Sequence, residues 1–97
     1  MTYFVYLAKC SDDTYYCGYT NELEKRIAAH NNSKKGAKYT RSKRPVHLAY
    51  FEEAASLSTA LKAEYKLKHL SHRDKQKLAE QFKKNEKLIL GGSTHSN

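Results

Sequence analysis

The stretch "YFVYLAKCSDDTYYCGYT", Tyr3 to Thr20, decides the architecture of this chain. Residues 3–10 and 15–19 are rich in β-branched and aromatic side chains and read as two strands. Between them "SDDT" (11–14) is turn chemistry, because Ser and Asp side chains bond back to the local backbone. A hairpin follows, and its register turns on the loop. A two-residue loop at Asp12-Asp13 pairs position 6 with 19 and sends Tyr6 and Tyr16 to opposite faces. A three-residue loop, 11–13, pairs 6 with 18 and makes Tyr6 and Tyr16 diagonal neighbours about 7–8 Å apart. Gly18 then lies opposite Tyr6 and leaves space beside its ring, while Val5, Leu7, Cys17 and Tyr19 turn to the core. The second register gives the cleaner apolar face and is the one expected. It leaves Tyr15 and Tyr19 on the face opposite Tyr16.

Working outward, Asn21 with Glu24 three residues on has the form of a capping box, and a helix is predicted over 22–31. Leu23 and Ile27 make its apolar stripe, and Arg26 and His30, four apart, share a face. Residues 33–45, "SKKGAKYTRSKRP", hold six basic residues in thirteen, and Gly36 and Pro45 argue against a regular element, so a long basic loop is expected. Residues 46–52 read as a third strand with Val46, Leu48 and Tyr50 on one face. Ser56 or Ser58 caps a helix from about 58 to 69, with Ala60, Leu61, Glu64 and Leu67 on one side. Ser71 and Asp74 announce a third helix over 72–84 with Leu78 and Phe82 facing in. The order β-β-α-β-α-α is that of an α+β domain with a small antiparallel sheet and flanking helices. One domain over 1–84 and a flexible C-terminal tail over 85–97 are expected.

At 97 residues the chain forms one small core. No run of 18 apolar residues suits a membrane span, and "MTYFVYLAKC" lacks the pattern of a secretory signal, so a cytoplasmic protein, with a monomer favoured, is expected. Cys10 and Cys17 form no C-x-x-C and belong to no zinc-like cluster; reduced thiols are the simplest reading. The formal charge of +8, from 18 Lys and Arg against 10 Asp and Glu, points to a polyanionic partner, nucleic acid before an anionic membrane.

Four features could carry chemistry. Glu64 lies beside the apolar stripe of its helix, where a carboxylate is costly unless it is paired or binds a cation; a nearby Lys or Arg is the competing explanation. Arg26 and His30 suit a phosphate, the first through its planar fork and the second as a donor or proton carrier, against the plain alternative of a solvated helix face. Tyr6 and Tyr16 are a second candidate pair, with buried structural tyrosines as the alternative. In the basic loop, Lys34, Lys35, Lys38, Arg41, Lys43 and Arg44 are interleaved with Tyr39, a composition suited to a nucleic-acid backbone and an unstacked base.

Together these pieces resemble the GIY-YIG nuclease superfamily. "FVY" (Phe4-Val5-Tyr6) stands at the first motif and "YCG" (Tyr16-Cys17-Gly18) at the second, with Phe4 in place of a glycine and Cys17 in place of an isoleucine. The following "GYTNELEKRIAAH" and the "ALKAEYKLK" around Glu64 match as well, over about residues 3–82. "GAKYTRSKRPVHLAYFEE" looks like the small single-domain bacterial branch, the UPF0213-like proteins. The asparagine that many members carry after the glutamate has no match, and no second DNA-binding domain is recognisable.

The resemblance implies a three-stranded antiparallel sheet and hydrolysis of a DNA phosphodiester with one divalent metal. Carried over by position, Glu64 would hold Mg²⁺ or Mn²⁺, and Arg26 would stabilise charge on the scissile phosphate. Tyr6 would be the general base, Tyr16 would position it or the phosphate, and His30 would contact phosphate or transfer a proton. A free tyrosine has a pKa of about 10, so Tyr6 needs a nearby cation such as Arg26 to act at neutral pH. The expected activity is that of a metal-dependent DNA endonuclease, structure-selective and linked to repair or recombination, with a protein partner as a second source of targeting. A non-catalytic DNA- or RNA-binding module, or a recruitment protein, would use the same fold.

Overall fold

The computed structural model describes residues 2–32 and 42–95. The elements run β1 (Tyr3–Lys9), β2 (Tyr15–Thr20), α1 (Leu23–Asn32), β3 (His47–Ala54), α2 (Leu57–Lys68) and α3 (His72–His95). The sheet is antiparallel in the order β2-β1-β3. This is the β-β-α-β-α-α, three-stranded α+β fold that the sequence predicts.

The hairpin loop takes the three-residue form. The N–H of Cys10 bonds the carbonyl of Thr14 at 2.8 Å, and the N–H of Asp13 bonds the carbonyl of Cys10 at 3.0 Å. Asp13 occupies the left-handed region at φ 68°, which Asp tolerates better than most residues. The Asp12 carboxylate accepts from the Thr14 N–H and hydroxyl and fixes the turn. The register that results pairs Tyr6 with Gly18 and Ala8 with Tyr16.

Both faces of the sheet are covered, which explains why Val5, Tyr6, Leu7 and Ala8 are all fully buried on the central strand. On the front face Tyr6 and Ala8 pack with Tyr16, Leu48, Phe51 and the α1 residues Leu23 and Ile27. On the rear face Val5 and Leu7 pack with Ala60 and Leu67 of α2 and Leu78 of α3. Burial of Val5, and of Leu7 likewise, contributes roughly 1.5–3 kcal/mol. Phe82 stands edge-on to Tyr50 and Phe51 at 5.8 and 5.3 Å between ring centroids.

The helix starts follow their caps. Ser56 Oγ accepts from the Thr59 N–H and Ser71 Oγ from the Asp74 N–H, both at 3.1 Å. Most boundaries shift from expectation by only one or two residues, and the end of α3 shifts furthest. The first backbone bond of α1 runs from the Arg26 N–H to the Glu22 carbonyl, so the helix begins at Leu23. The third helix continues from His72 to His95, through the stretch expected to be a tail, because "NEKLIL" is made of helix-compatible residues and no proline ends the run. Strand β3 carries a bulge: Leu7 pairs with Tyr50 but Ala8 with Leu48, leaving Ala49 extra. One extra residue inverts the side-chain alternation, so Tyr50 joins the rear cluster while Val46 and Leu48 stay in front. Among the described residues no helix is long and apolar enough to cross a membrane.

The side chain of Asn31 clamps α1 to the start of β3. Its Nδ2 donates to the Val46 carbonyl at 2.8 Å and its Oδ1 accepts from the Val46 N–H at 2.7 Å. Val46 is buried, so Asn31→Ala leaves two backbone groups unpaired away from water. We expect a loss of about 2 kcal/mol, a fall of about 10 °C in Tm for a domain of this size. A melting temperature unchanged by Asn31→Ala would show that the clamp contributes nothing.

Candidate active site

A concavity of about 390 Å³ opens at the β2 edge of the sheet and is lined by Tyr6, Tyr16, Gly18, Tyr19, Arg26 and Glu64. These residues come from both layers. Tyr6, Tyr16 and Arg26 belong to the front, whereas Glu64 rides on α2 behind the sheet. They meet because β2 is an edge strand and because Gly18 has no side chain there. A Cβ at Gly18 would lie 2.7 Å from Tyr6 Oη, 2.9 Å from Tyr6 Cζ and 3.0 Å from Tyr16 Cε2. The thiol of Cys17 points to the Glu64 carbonyl at 3.7 Å and ties α2 to the same strand.

Four of the five predicted catalytic side chains therefore share one surface. Tyr6 and Tyr16 lie on one face with ring centroids 6.3 Å apart. Glu64 is half-buried, and among the described residues its carboxylate makes no ion pair, so the Lys or Arg partner weighed against metal binding is absent there.

The fifth residue, His30, is placed differently from the expectation of a phosphate contact. It is fully buried, does not line the concavity, and sits behind the tyrosines at 5.9 and 5.0 Å from the rings of Tyr6 and Tyr16. Its Nε2 is 2.8 Å from Tyr6 Oη. The signal was legible in the spacing: residue 30 lies seven after Leu23 and three after Ile27, on the apolar stripe itself.

The electrostatics follow from burial. Tyr6 is pushed up to about 12 by burial, and the hydrogen bond and charge of Arg26 offset only part of this. Arg26 does not make Tyr6 a ready phenolate, contrary to the role expected of it. For Arg26 itself burial opposes the charge, but its hydrogen bonds with Tyr6 and Tyr16 outweigh that and raise its pKa. His30 is lowered to about 4, first by burial and then by the charges of Arg26 and Arg44. It is therefore neutral at pH 7. Arginine offers only donors, so the Tyr6 proton is directed to His30 Nε2, and His30 carries its own proton on Nδ1.

This arrangement makes stability pH-dependent. His30 has a folded pKa of about 4 against the ordinary 6.5, so the unfolded chain binds more protons between those values. Its contribution is complete above pH 6.5 and is lost as pH falls to about 4, by on the order of 3 kcal/mol. Urea unfolding at pH 7 and pH 4 should show this drop in the wild type and a clearly smaller one in His30→Gln. Equal drops in both proteins would refute the assignment.

In the basic loop, Lys34, Lys35, Lys38, Tyr39 and Arg41 lie outside the described residues. The two described members are engaged within the domain. Lys43 Nζ pairs with Asp12 at 3.0 Å, and the Asp12 carboxyl falls to about 2 through hydrogen bonds from Thr14 and Lys43. Arg44 Nε donates to the His30 carbonyl and ties its own segment to α1.

Among the described residues no three His, Cys, Asp or Glu side chains cluster as a closed metal cage. A lone carboxylate still fits a hard divalent cation such as Mg²⁺, which commonly binds one or two carboxylates and fills its shell with water and substrate phosphate.

Comparison with known proteins bears on this site. A profile of the GIY-YIG catalytic domain matches residues 2–79. The chain belongs to the GIY-YIG family. A UPF0213 protein of Syntrophus aciditrophicus is 47% identical over 78 residues, covering 80% of this chain and 90% of its own. The solution NMR structure of the UPF0213 protein BH0048 of Bacillus halodurans is 41% identical, with a TM-score of 0.52, covering 84% of this chain and 85% of the other. That of EF2693 from E. faecalis is 37% identical with a TM-score of 0.57, covering 84% and 86%. The matched span, residues 2–79, includes every residue that lines the concavity. Tyr19, expected in the core, is instead 40% exposed at the rim.

Proposed function

We propose that this protein is a metal-dependent DNA endonuclease that hydrolyses phosphodiester bonds, selecting its substrate by structure and serving DNA repair or recombination. The convergence of Tyr6, Tyr16, Arg26 and Glu64 from opposite sides of the sheet on one surface carries this reading. A divalent cation held by Glu64, Mg²⁺ or Mn²⁺, would supply positive charge to the phosphoryl and leaving oxygens.

The chain's own residues divide the remaining work. Arg26 presents a fixed charge that binds the phosphate and stabilises the charge that accumulates on it. Tyr6 accepts a proton from the attacking water as it passes its own to His30 Nε2, 2.8 Å away. In the free protein burial raises the Tyr6 phenol and lowers the His30 imidazole, so full transfer between them is strongly uphill. A phosphate against Arg26 screens one of the two cations that hold His30 down, so the pair becomes a better base when substrate arrives. Tyr16, tilted against Tyr6 and edge-on to His30, keeps the rings in place.

The test is incubation of the purified protein with branched, nicked and single-stranded DNA in Mg²⁺ or Mn²⁺. Cleavage that disappears with Glu64→Ala is the expected result. Absence of cleavage on all three substrates, or cleavage that survives Glu64→Ala, would sink the proposal and leave the nucleic-acid-binding module as the alternative.

A further inference from the structure

The concavity has one lining residue to which the hydrolytic reading gives no task. Tyr19 is half a strand turn from the motif glycine and belongs to the rear face by the alternation of β2, the side from which Glu64 approaches. Tyr19 is 40% exposed, although Val5, its partner across the ladder, is fully buried. Among the described residues Tyr19 is the only exposed large aromatic on the rim of this surface; the other exposed one, Tyr65, lies outside it, stacked on His69 at 4.2 Å between centroids. A phenol ring left in water beside an arginine and a carboxylate is poorly explained by packing. It is the geometry in which a sequence-independent site holds a base, because every nucleobase has a π-face and stacking needs no hydrogen-bond code.

We propose that Tyr19 is a stacking platform for an unpaired nucleotide next to the phosphate held at Arg26. The inference rests on the nuclease reading of the concavity and gives it a substrate class: DNA with a single-stranded arm or gap at the point of scission, in preference to continuous duplex. In a duplex the bases are stacked on their own neighbours and none is free to meet the ring. A flap, fork or gap presents an unstacked base without first breaking a pair. Tyr19 is thus a binding and specificity residue, and the reacting atoms remain with Tyr6, Arg26 and Glu64.

The experiment is a binding titration in EDTA, where no cleavage occurs. It compares a labelled duplex carrying a single-stranded arm with a blunt duplex of the same sequence. The wild type should bind the armed DNA more tightly. Tyr19→Ala should lose about tenfold in affinity for it and little for the blunt form, whereas Tyr19→Phe, which keeps the ring, should bind as the wild type does. Tyr65→Ala, removed from the concavity, should leave the preference intact. Equal binding of both DNAs by the wild type, an indifferent Tyr19→Ala, or an equal loss in Tyr65→Ala overturns the proposal. Because binding is read without metal, a failure here is distinct from a failure of the nuclease reading, which shows as absent cleavage in Mg²⁺ or Mn²⁺.

Discussion

Glu64→Ala should lower DNA cleavage by roughly a thousandfold while the fold and the affinity for DNA stay in place. The size of the effect follows from there being one carboxylate at the concavity and, among the described residues, no cluster of acids or histidines to replace it. The smallness of the structural effect follows from what Glu64 does not do. Among the described residues it makes no ion pair that the substitution would break, and it sits half-buried on a helix held by Ala60 and Leu67 rather than by itself. Unfolding in urea should therefore change by less than about 0.5 kcal/mol. DNA affinity in the absence of metal should hold or rise slightly, since the variant removes a negative charge from the surface proposed to receive phosphate. Glu64→Gln should match Glu64→Ala in turnover, because the amide keeps the shape but lacks the charge that a hard cation needs. A variant that cleaves at a tenth of the wild-type rate would point to another metal ligand or to none. A variant that fails to fold would show that Glu64 is a structural residue.

Much of this site is legible in the sequence, and the parts that are not share a physical cause. Local patterns favoured one hairpin register: pairing 6 with 18 sets Cys17 on the same face as Val5 and Leu7, the cleaner apolar face of the two, and the turn residues Asp12 and Asp13 supplied the backbone that register needs. Helix starts were legible because Ser56 and Ser71 act on N–H groups three residues away. What escaped was set by contacts distant in sequence. The bulge at Ala49 depends on how β3 meets β1, and nothing in "VHLAYFE" marks it. The exposure of Tyr19 depends on β2 being an edge strand, which follows from the place β3 takes on the other side of β1. His30 is the exception, since its position on the Leu23–Ile27 stripe was available. Its polarity suggested solvent, whereas a buried acceptor for the Tyr6 hydroxyl makes the inside tenable.

Gly18→Ala tests the feature that lets the two layers meet. One added methyl group would stand 2.7 Å from Tyr6 Oη and 2.9 Å from Cζ, closer than carbon approaches either atom without displacement. Tyr6 has little room to yield. It is fully buried, and its hydroxyl is held by His30 at 2.8 Å. Shifting the ring breaks that bond or drives the ring into Tyr16, whose Cε2 is itself 3.0 Å from the new atom. Overpacking of this kind costs about 1–3 kcal/mol, and misplacing a reacting group by about 1 Å costs roughly a hundredfold in rate. Cleavage should fall by about that factor, and urea midpoints should fall with it. A double-mutant cycle identifies the cause. Tyr6→Phe removes the oxygen that the methyl group meets first, so Gly18→Ala should destabilise the Tyr6→Phe protein less than the wild type, by about 1 kcal/mol. Strict additivity of the two substitutions would mean that the methyl group and the hydroxyl do not compete for the same space, and that the absence of a side chain at position 18 serves the path of the strand rather than the site.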